Sequence, residues 1–225
     1  MIIDRHNIRE SVGFIGFIGG DEFRNNCALM DKWILQEIGQ QSPVVAILPT
    51  AATHQKPELA ISTGSNYFTN LGGRVITIPV YTKEDANTIS LADKILTADL
   101  IYIAGGDPQY LSDVLVDSYC EKILFDALRF GKAVVGSSAG AMYLGDNFLL
   151  SPHQFIPIPH FENYTKIDAL IDLFTDIPFV GIGSATGVFS SPNGWIVIGQ
   201  KDVHLITENS DKVFSSNDLL SLIHI

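Results

Sequence analysis

Short runs of apolar residues recur along the chain, separated by longer segments in which apolar and polar residues mix. Most of the runs are rich in Val and Ile and are flanked by Gly, Pro or Asp, which is typical of strands buried on both faces of a sheet. Six strands of this kind are predicted, over Val12–Phe17, Pro43–Leu48, Arg74–Ile78, Asp99–Ile103, Ala133–Gly136 and Phe179–Ile182.

The mixed segments between these runs have the spacing of amphipathic helices. Helices are predicted over Glu22–Ile38, Lys56–Leu71, Ser118–Phe130 and Lys166–Phe174. Strands that alternate with helices form parallel βαβ units, so the pattern predicts an α/β fold with an open, mostly parallel sheet flanked by helices. After Gly183 the runs become shorter and are separated by turn residues such as Ser-Pro-Asn-Gly (191–194), which indicates short antiparallel strands at the C-terminal end.

The bulk composition narrows the class of protein. The 225 residues fit a single α/β domain (1–225), and the formal net charge of −11 argues against a nucleic-acid surface. Cys27 and Cys120 lie far apart and are expected to be small buried residues rather than a disulfide or a metal site. Charged residues near the N-terminus do not suit a signal peptide, and no apolar stretch has the length of a membrane span, so a cytoplasmic protein is expected.

The most informative segment is Gly-Ser-Ser-Ala-Gly (136–140), where a predicted strand ends and a small-residue helix begins. It places Ser138 at the centre of Gly-x-Ser-x-Gly, a turn that exposes a serine nucleophile and needs small neighbours because the backbone is crowded. The free N–H groups of the following helix can stabilise an oxyanion, and the amide of Ala139 is one such donor. The alternative interpretation is a serine that merely caps the helix.

A second glycine turn, Gly-Gly-Asp-Pro (105–108), follows the strand Asp99–Ile103. Loops at the carboxyl ends of parallel strands meet at one crevice, so the amide of Gly106 is a candidate second oxyanion donor. The alternative is a plain strand-to-helix turn in which Asp107 caps the helix.

A serine nucleophile needs a base, and the chain has six histidines. His160 ends the apolar stretch Ile-Pro-Ile-Pro (156–159), which can hold an imidazole rigidly toward a pocket, and is preferred slightly over His153. His6 and His224 lie near the termini, His54 lies in a loop, and His204 lies within a C-terminal strand.

Taken together, Gly-Ser-Ser-Ala-Gly-Ala (136–141), Gly-Gly-Asp (105–107) and Pro-His-Phe (159–161) resemble peptidase family S51. That family contains dipeptidase E and the cyanophycinases. Gly-Gly-Asp-Glu (19–22), Pro-Thr-Ala-Ala (49–52) and Gly-Ile-Gly (181–183) are similar to the cyanophycinase branch. The resemblance implies a fold like that of class I glutamine amidotransferases (flavodoxin-like), with Ser138 as nucleophile, His160 as base and the amides of Gly106 and Ala139 as oxyanion donors. It also implies that no metal or cofactor is needed, that the substrate is a short peptide or isopeptide, and that a homodimer is possible.

The chain departs from the family pattern at the residue that orients the histidine. Cyanophycinase-like members have an acidic residue after the Gly-Ile-Gly strand, whereas this chain has Ser-Ala-Thr-Gly (184–187). The candidates for a substitute are Asp146, Glu162 and Asp107, in that order, with Asp146 as the tentative third catalytic residue.

The arginines with which the family reads an aspartyl carboxylate are also missing, so aspartyl specificity is not expected to be strict. The expected substrate contacts are Asp107, Gln109 and Lys166, of which Lys166 would supply a point charge and not a bidentate fork.

Two other functions remain open at this point. The absence of the acidic residue that orients the histidine and of the arginines that bind an aspartyl carboxylate favours a catalytically weak or inactive relative. Such a protein would bind an amino-acid-like ligand. An esterase of the α/β-hydrolase class would use a distant histidine such as His204, because its acid lies between serine and histidine in the sequence. A cysteine-dependent glutamine amidotransferase is excluded, since neither Cys27 nor Cys120 lies at a comparable turn.

Overall fold

The computed structural model describes residues 13–148, 155–164 and 177–220 of the chain. Its strands are β1 (Ile15–Ile18), β2 (Val44–Leu48), β3 (Arg74–Thr77), β4 (Leu100–Ile103), β5 (Ala133–Ser137), β6 (Ile156–Pro159), β7 (Phe179–Ile182), β8 (Thr186–Ser191), β9 (Gly194–Gly199), β10 (Val203–Thr207), β11 (Ser210–Phe214) and β12 (Leu219–Leu220). Its α-helices are α1 (Ala28–Ile38), α2 (Pro57–Asn70), α3 (Lys83–Ala86), α4 (Ile89–Ala92), α5 (Pro108–Leu115), α6 (Tyr119–Arg129) and α7 (Ala139–Phe148). Short 3₁₀ helices cover Asn25–Cys27, Thr50–Ala52, Asp93–Thr97 and Phe161–Asn163.

Eight strands form the main sheet in the order β12-β9-β8-β1-β5-β4-β2-β3. The five strands from β1 to β3 in that order are parallel, and the three strands on the other side of β1 are antiparallel. The predicted mostly parallel α/β sheet, with antiparallel strands from the C-terminal part of the chain, is therefore confirmed.

Both faces of this sheet are covered, as the uninterrupted apolar runs require. Neighbouring residues of one strand belong to different cores: Phe17 packs into one and Ile18 into the other, and both are fully buried. Residues of α5, α6 and α7 contribute to the first core, and residues of α1 and α2 to the second. Burying each such large apolar side chain stabilises the fold by roughly 1.5–3 kcal/mol.

A second sheet of four strands, in the order β11-β10-β7-β6, lies outside the prediction. The run Phe179–Ile182 was expected in the parallel sheet, and this expectation is wrong: β7 pairs in parallel with β6 and antiparallel with β10. Apolar character marks a strand as buried but does not encode its neighbours. The placement matters for function, because residues after the parallel strands β6 and β7 leave the sheet side by side.

Three of the four predicted helices are present with modest changes of boundary. The segment Glu22–Ile38 is divided into a 3₁₀ turn and α1, while α2 and α6 match their predictions within two residues. The side chain of Ser118 accepts a hydrogen bond from the backbone N–H of Glu121 and so caps α6. The predicted helix Lys166–Phe174 lies outside the described residues.

The described residues contain no helix that is both long enough and apolar enough to cross a lipid bilayer. Cys27 and Cys120 are free and buried, as predicted. Burial raises the pKa of each thiol to about 12, so neither is a thiolate near neutral pH.

Candidate active site

A cavity of about 550 Å³ opens beside the carboxyl ends of the parallel strands. Its wall includes Glu22 from the segment after β1, Gly105 and Gly106 after β4, and Ser138 after β5. His160, which follows β6 in the second sheet, completes the wall. Residues separated by more than a hundred positions therefore meet at one crevice, at the place where ligands bind in open α/β sheets.

Ser138 occupies a strained turn between β5 and α7. Its φ of +49° lies in the left-handed region, which non-glycine residues seldom adopt and which costs about 1–3 kcal/mol. An N-cap serine has extended φ and accepts a hydrogen bond from the helix, whereas the Ser138 side chain forms no hydrogen bond within the described part of the chain. The capping interpretation is thus disfavoured, and the strain is typical of a functional position.

The two glycines of the motif are needed for this tight turn. A Cβ atom on Gly136 would lie 2.3 Å from the backbone of Gly140, and one on Gly140 would lie 2.4 Å from the carbonyl oxygen of Ile103. Both distances are far below van der Waals contact, so any larger residue would push α7 away from β4 and β5. The Gly-x-Ser-x-Gly pattern is a steric requirement here.

Two backbone N–H groups are candidates to stabilise an oxyanion: Gly106 lines the cavity, and Ala139 directly follows Ser138. Those of Gly106 and Ala139 donate no hydrogen bond to any acceptor among residues 13–148, 155–164 and 177–220. The neighbouring N–H of Gly105 is already used, because it donates to Glu22 Oε1 at 2.9 Å. A Cβ on Gly105 would lie 3.1 Å from the Cβ of Ser138, so this loop passes directly against the serine.

Glu22 ties the glycine loop to the serine turn. Its Oε1 accepts from the N–H of Gly105, and its Oε2 accepts from the Ser137 hydroxyl at 2.9 Å. One carboxylate therefore fixes the loop of Gly106 relative to the residue that precedes Ser138. Sequence reasoning noted Gly-Gly-Asp-Glu (19–22) only as a resemblance and missed this role, since the contacts span 83 and 115 positions of the chain.

Replacing Glu22 with alanine is expected to slow the reaction of Ser138 with a fluorophosphonate by roughly 10- to 100-fold, because two hydrogen bonds to a charged group are lost. Glu22→Gln is expected to stay within about threefold of the wild type, since its oxygen can accept from Gly105 and its amide can donate to Ser137. Glu37→Ala, at an exposed carboxylate of α1, is the matched control. A wild-type labelling rate for Glu22→Ala would exclude the positioning role.

His160 is held from three directions. Its backbone N–H donates to the carbonyl of Gly19 at 2.7 Å, and its own φ is +53°. A Cβ on Gly20 would lie 2.0 Å from the imidazole, so the ring packs directly on the glycine backbone. Its Nδ1 lies 2.9 Å from the hydroxyl of Ser184, and its Nε2 has no hydrogen-bond partner in the described part of the chain. Ser138 and His160 share the cavity wall without a direct hydrogen bond, a contact that often tightens only when substrate binds.

The structure does not bring Asp146, the first candidate for the third residue, to His160. Asp146 is exposed on α7, and the two residues form no hydrogen bond in the described part of the chain. The Nδ1 partner is Ser184, whose backbone N–H donates to Glu162 Oε2 at 3.0 Å. Glu162, the second candidate, therefore contacts Ser184, which in turn contacts His160. The sequence analysis missed Ser184 as the hydrogen-bond partner of His160.

The third candidate, Asp107, caps α5 through a hydrogen bond from the N–H of Tyr110. It was also expected to contact substrate, as was Gln109, whose side chain donates to Asp113 at 2.8 Å. Neither residue lines the cavity of Ser138. Lys166 lies outside the described residues. The charged residues on the cavity wall are instead Asp21, Glu22, Arg24 and Lys56.

The two other histidines that the structure describes, His54 and His204, do not line this cavity. His204 lies on β10, with Nδ1 3.0 Å from Asp211, and its ring packs on Phe161. The ring of His54 packs against Tyr110 instead of the serine turn. His6, His153 and His224 lie outside the described residues. The part of the chain that the structure describes holds no group of three or more His, Cys, Asp or Glu side chains placed to bind a metal ion.

Comparison with known proteins identifies sequences similar to this chain. The model of peptidase family S51 matches residues 17–175. An uncharacterized peptidase of Listeria innocua is 24% identical over 149 residues, covering 64% of this chain and 70% of the relative. An uncharacterized peptidase of Pasteurella multocida is 21% identical over 182 residues, covering 71% and 86%.

Solved structures are similar as well. A crystal structure of a peptidase from an acI-B1 actinobacterium is 27% identical, with a TM-score of 0.82, and the match covers 94% of this chain and 98% of that one. A peptidase E protein of Listeria monocytogenes is 17% identical, with a TM-score of 0.59 and coverage of 84% and 99%. Because the sequences are only 17% identical, the similarity to the Listeria monocytogenes protein shows a shared fold and nothing about activity.

Proposed function

The chain belongs to peptidase family S51, and from that premise we propose that it is a serine-type peptidase that hydrolyses a short peptide or isopeptide through an acyl-enzyme on Ser138. One observation carries the proposal. Ser138 is held at a φ of +49° on the wall of a cavity that it shares with His160 and the glycine loop. A strained serine and a histidine on one cavity wall, with N–H groups at Gly106 and Ala139 that have no acceptor in the described part of the chain, are the parts that acyl transfer needs.

The chemistry proceeds in two halves. Nε2 of His160 takes the proton of Ser138 Oγ as the oxygen attacks the carbonyl carbon of the scissile amide. The carbonyl oxygen becomes an oxyanion, which accepts hydrogen bonds from the N–H groups of Gly106 and Ala139. His160 then gives the proton to the leaving nitrogen as the C–N bond breaks, which leaves an ester on Ser138.

Water completes the cycle by the same route. His160 removes a proton from water, the resulting hydroxide attacks the ester carbonyl, and the same two N–H groups hold the second oxyanion. Collapse of that intermediate returns the proton to Ser138 Oγ and releases the carboxylic acid. No group beyond water and these residues takes part.

The cavity supports a short substrate. Its volume of about 550 Å³ is that of a site for a small molecule, not for a folded protein. Its wall carries charges of both signs, Asp21 and Glu22 against Arg24 and Lys56. A short peptide with an ammonium at one end and a carboxylate at the other suits such a wall.

Fluorophosphonate labelling of the folded protein tests this proposal without knowledge of the substrate. Intact mass is expected to show one adduct per chain, and peptide mapping is expected to locate it on Ser138. A panel of dipeptides and isopeptides then identifies the class that is cleaved. A folded protein that acquires no adduct would contradict the proposal and favour a binding protein for an amino-acid-like ligand, the alternative that the neutral partner of His160 supports.

A further inference from the structure

A chain of polar contacts continues behind His160, away from the cavity. Nδ1 of His160 lies 2.9 Å from Ser184 Oγ. Glu162 Oε2 accepts the backbone N–H of Ser184 at 3.0 Å, which brings Ser184 beside this carboxylate. The other oxygen of Glu162 accepts a hydrogen bond from Lys201 Nζ.

The negative charge of Glu162 determines which group donates each hydrogen bond in this series of contacts. Burial opposes its ionisation, but hydrogen bonds from Lys201 and Ser184 outweigh that effect and lower its pKa to about 2. An ionised carboxylate only accepts, so a Ser184 hydroxyl that turns toward Glu162 donates to it. The Ser184 oxygen then offers its lone pair to His160, and Nδ1 must carry the proton. Nε2 is left unprotonated, as a base for Ser138 requires.

We propose that Ser184 and Glu162 act together as positioning residues, in which the Ser184 hydroxyl transmits the orienting effect of the Glu162 carboxylate to His160. This inference rests on the proposed function, because it concerns the base of that reaction. In a conventional triad the carboxylate hydrogen-bonds to the imidazole itself, whereas here the Ser184 hydroxyl lies between the two groups. A relayed charge stabilises imidazolium less than a direct one but still selects the tautomer.

The surrounding backbone holds the relay in place. Ser184 is only 4% exposed, and the N–H of the next residue, Ala185, donates to the carbonyl of Gly20 at 3.0 Å. The segment Gly19–Gly20 therefore fixes both His160, through Gly19, and the loop that carries Ser184. The parallel pairing of β6 and β7 ends at Pro159 and Ile182. His160 and Ser184 therefore follow neighbouring strand ends.

Long-range ¹H–¹⁵N correlation spectra of the histidine rings test the tautomer directly. Neutral His160 is expected to carry its proton on Nδ1 in the wild type. Glu162→Gln is expected to shift His160 toward the Nε2-protonated form, because the Ser184 hydroxyl is then free to turn and donate to Nδ1. An Nε2-protonated wild type, or a Glu162→Gln spectrum unchanged at His160, would overturn the inference whether or not Ser138 is reactive.

Labelling rates test the consequence for Ser138. Ser184→Ala and Glu162→Gln are each expected to slow fluorophosphonate labelling by roughly 10- to 100-fold, and the double variant is expected to be no slower than the worse single variant, because both changes break one chain. Additive losses would contradict the relay. Asp146→Asn is expected to label at the wild-type rate, and a loss there would instead restore Asp146 as the orienting acid.

The pH dependence separates the two proposals further. Because its pKa of about 2 is below that of a free glutamate, Glu162 supports the relay at all higher pH and loses this role only as the pH falls toward 2. Titration of Glu162 is therefore expected to contribute no pH dependence to the variant effects between about pH 6 and 9. Labelling of Ser138 that is rapid in both relay variants would refute the relay and leave the proposed function intact. Absence of labelling in the wild type would refute the proposed function, while the tautomer measurement still decides the relay.

Discussion

Ser138→Ala is expected to abolish fluorophosphonate labelling and to lower peptide hydrolysis by roughly 10⁴-fold or more, because no other group can form the acyl-enzyme. The fold is expected to survive. The Ser138 hydroxyl donates no hydrogen bond in the described part of the chain, and alanine replaces one L residue with another at the same strained φ. Intact mass after labelling and a thermal melt of the same sample measure both effects.

Ser137→Ala is the matched control for this prediction. Its hydroxyl lies one residue away and contacts Glu22 instead of the cavity. Its loss is expected to slow labelling by at most about 10-fold, since one hydrogen bond to a carboxylate disappears. An adduct that persists in Ser138→Ala but vanishes in Ser137→Ala would move the nucleophile by one residue and refute the assignment.

His160→Ala is expected to lower the labelling rate by roughly 10²- to 10⁴-fold, the usual contribution of a positioned general base. His160 lines the cavity, and its Nδ1 is 2.9 Å from Ser184 Oγ. Without the imidazole, the Ser138 proton has no acceptor of suitable basicity among the cavity residues. Labelling rates measured as a function of pH are expected to become shallow and monotonic in the variant.

His204→Ala separates this mechanism from that of an α/β-hydrolase with a distant histidine. His204 forms an exposed contact with Asp211 in the second sheet and lies off the cavity wall. Its replacement is expected to leave the labelling rate unchanged. A collapse of labelling in His204→Ala, with His160→Ala unaffected, would reverse the assignment of the base.

The strands of the main sheet were predictable because their signal is local. A parallel strand with helices on both sides is apolar at every position, and the runs of β2 and β4 show this directly. The serine turn was predictable for a related reason. The small residues at Gly136 and Gly140 are a steric necessity of the turn itself, so they appear in the sequence around Ser138.

The neighbours of a strand were less predictable. The run of β7 has the same apolar character as the main-sheet strands, yet it pairs with β6 and β10 in another sheet. Burial of a strand is encoded by its composition. Its pairing depends on which other strands are free and on the path of the connections, and no local pattern records either.

The sequence by itself determined the α/β class, the serine turn at Ser138 and the expectation that His160 serves it. Only the tertiary structure decided what stands behind the histidine. Asp146 has the charge that an orienting residue needs, but α7 exposes it to solvent. Ser184, although neutral, reaches His160 because β6 and β7 run in parallel and end together, and its backbone N–H donates to Glu162. The physical reason is that residue chemistry is written in the chain, whereas the distance between two side chains is set by packing.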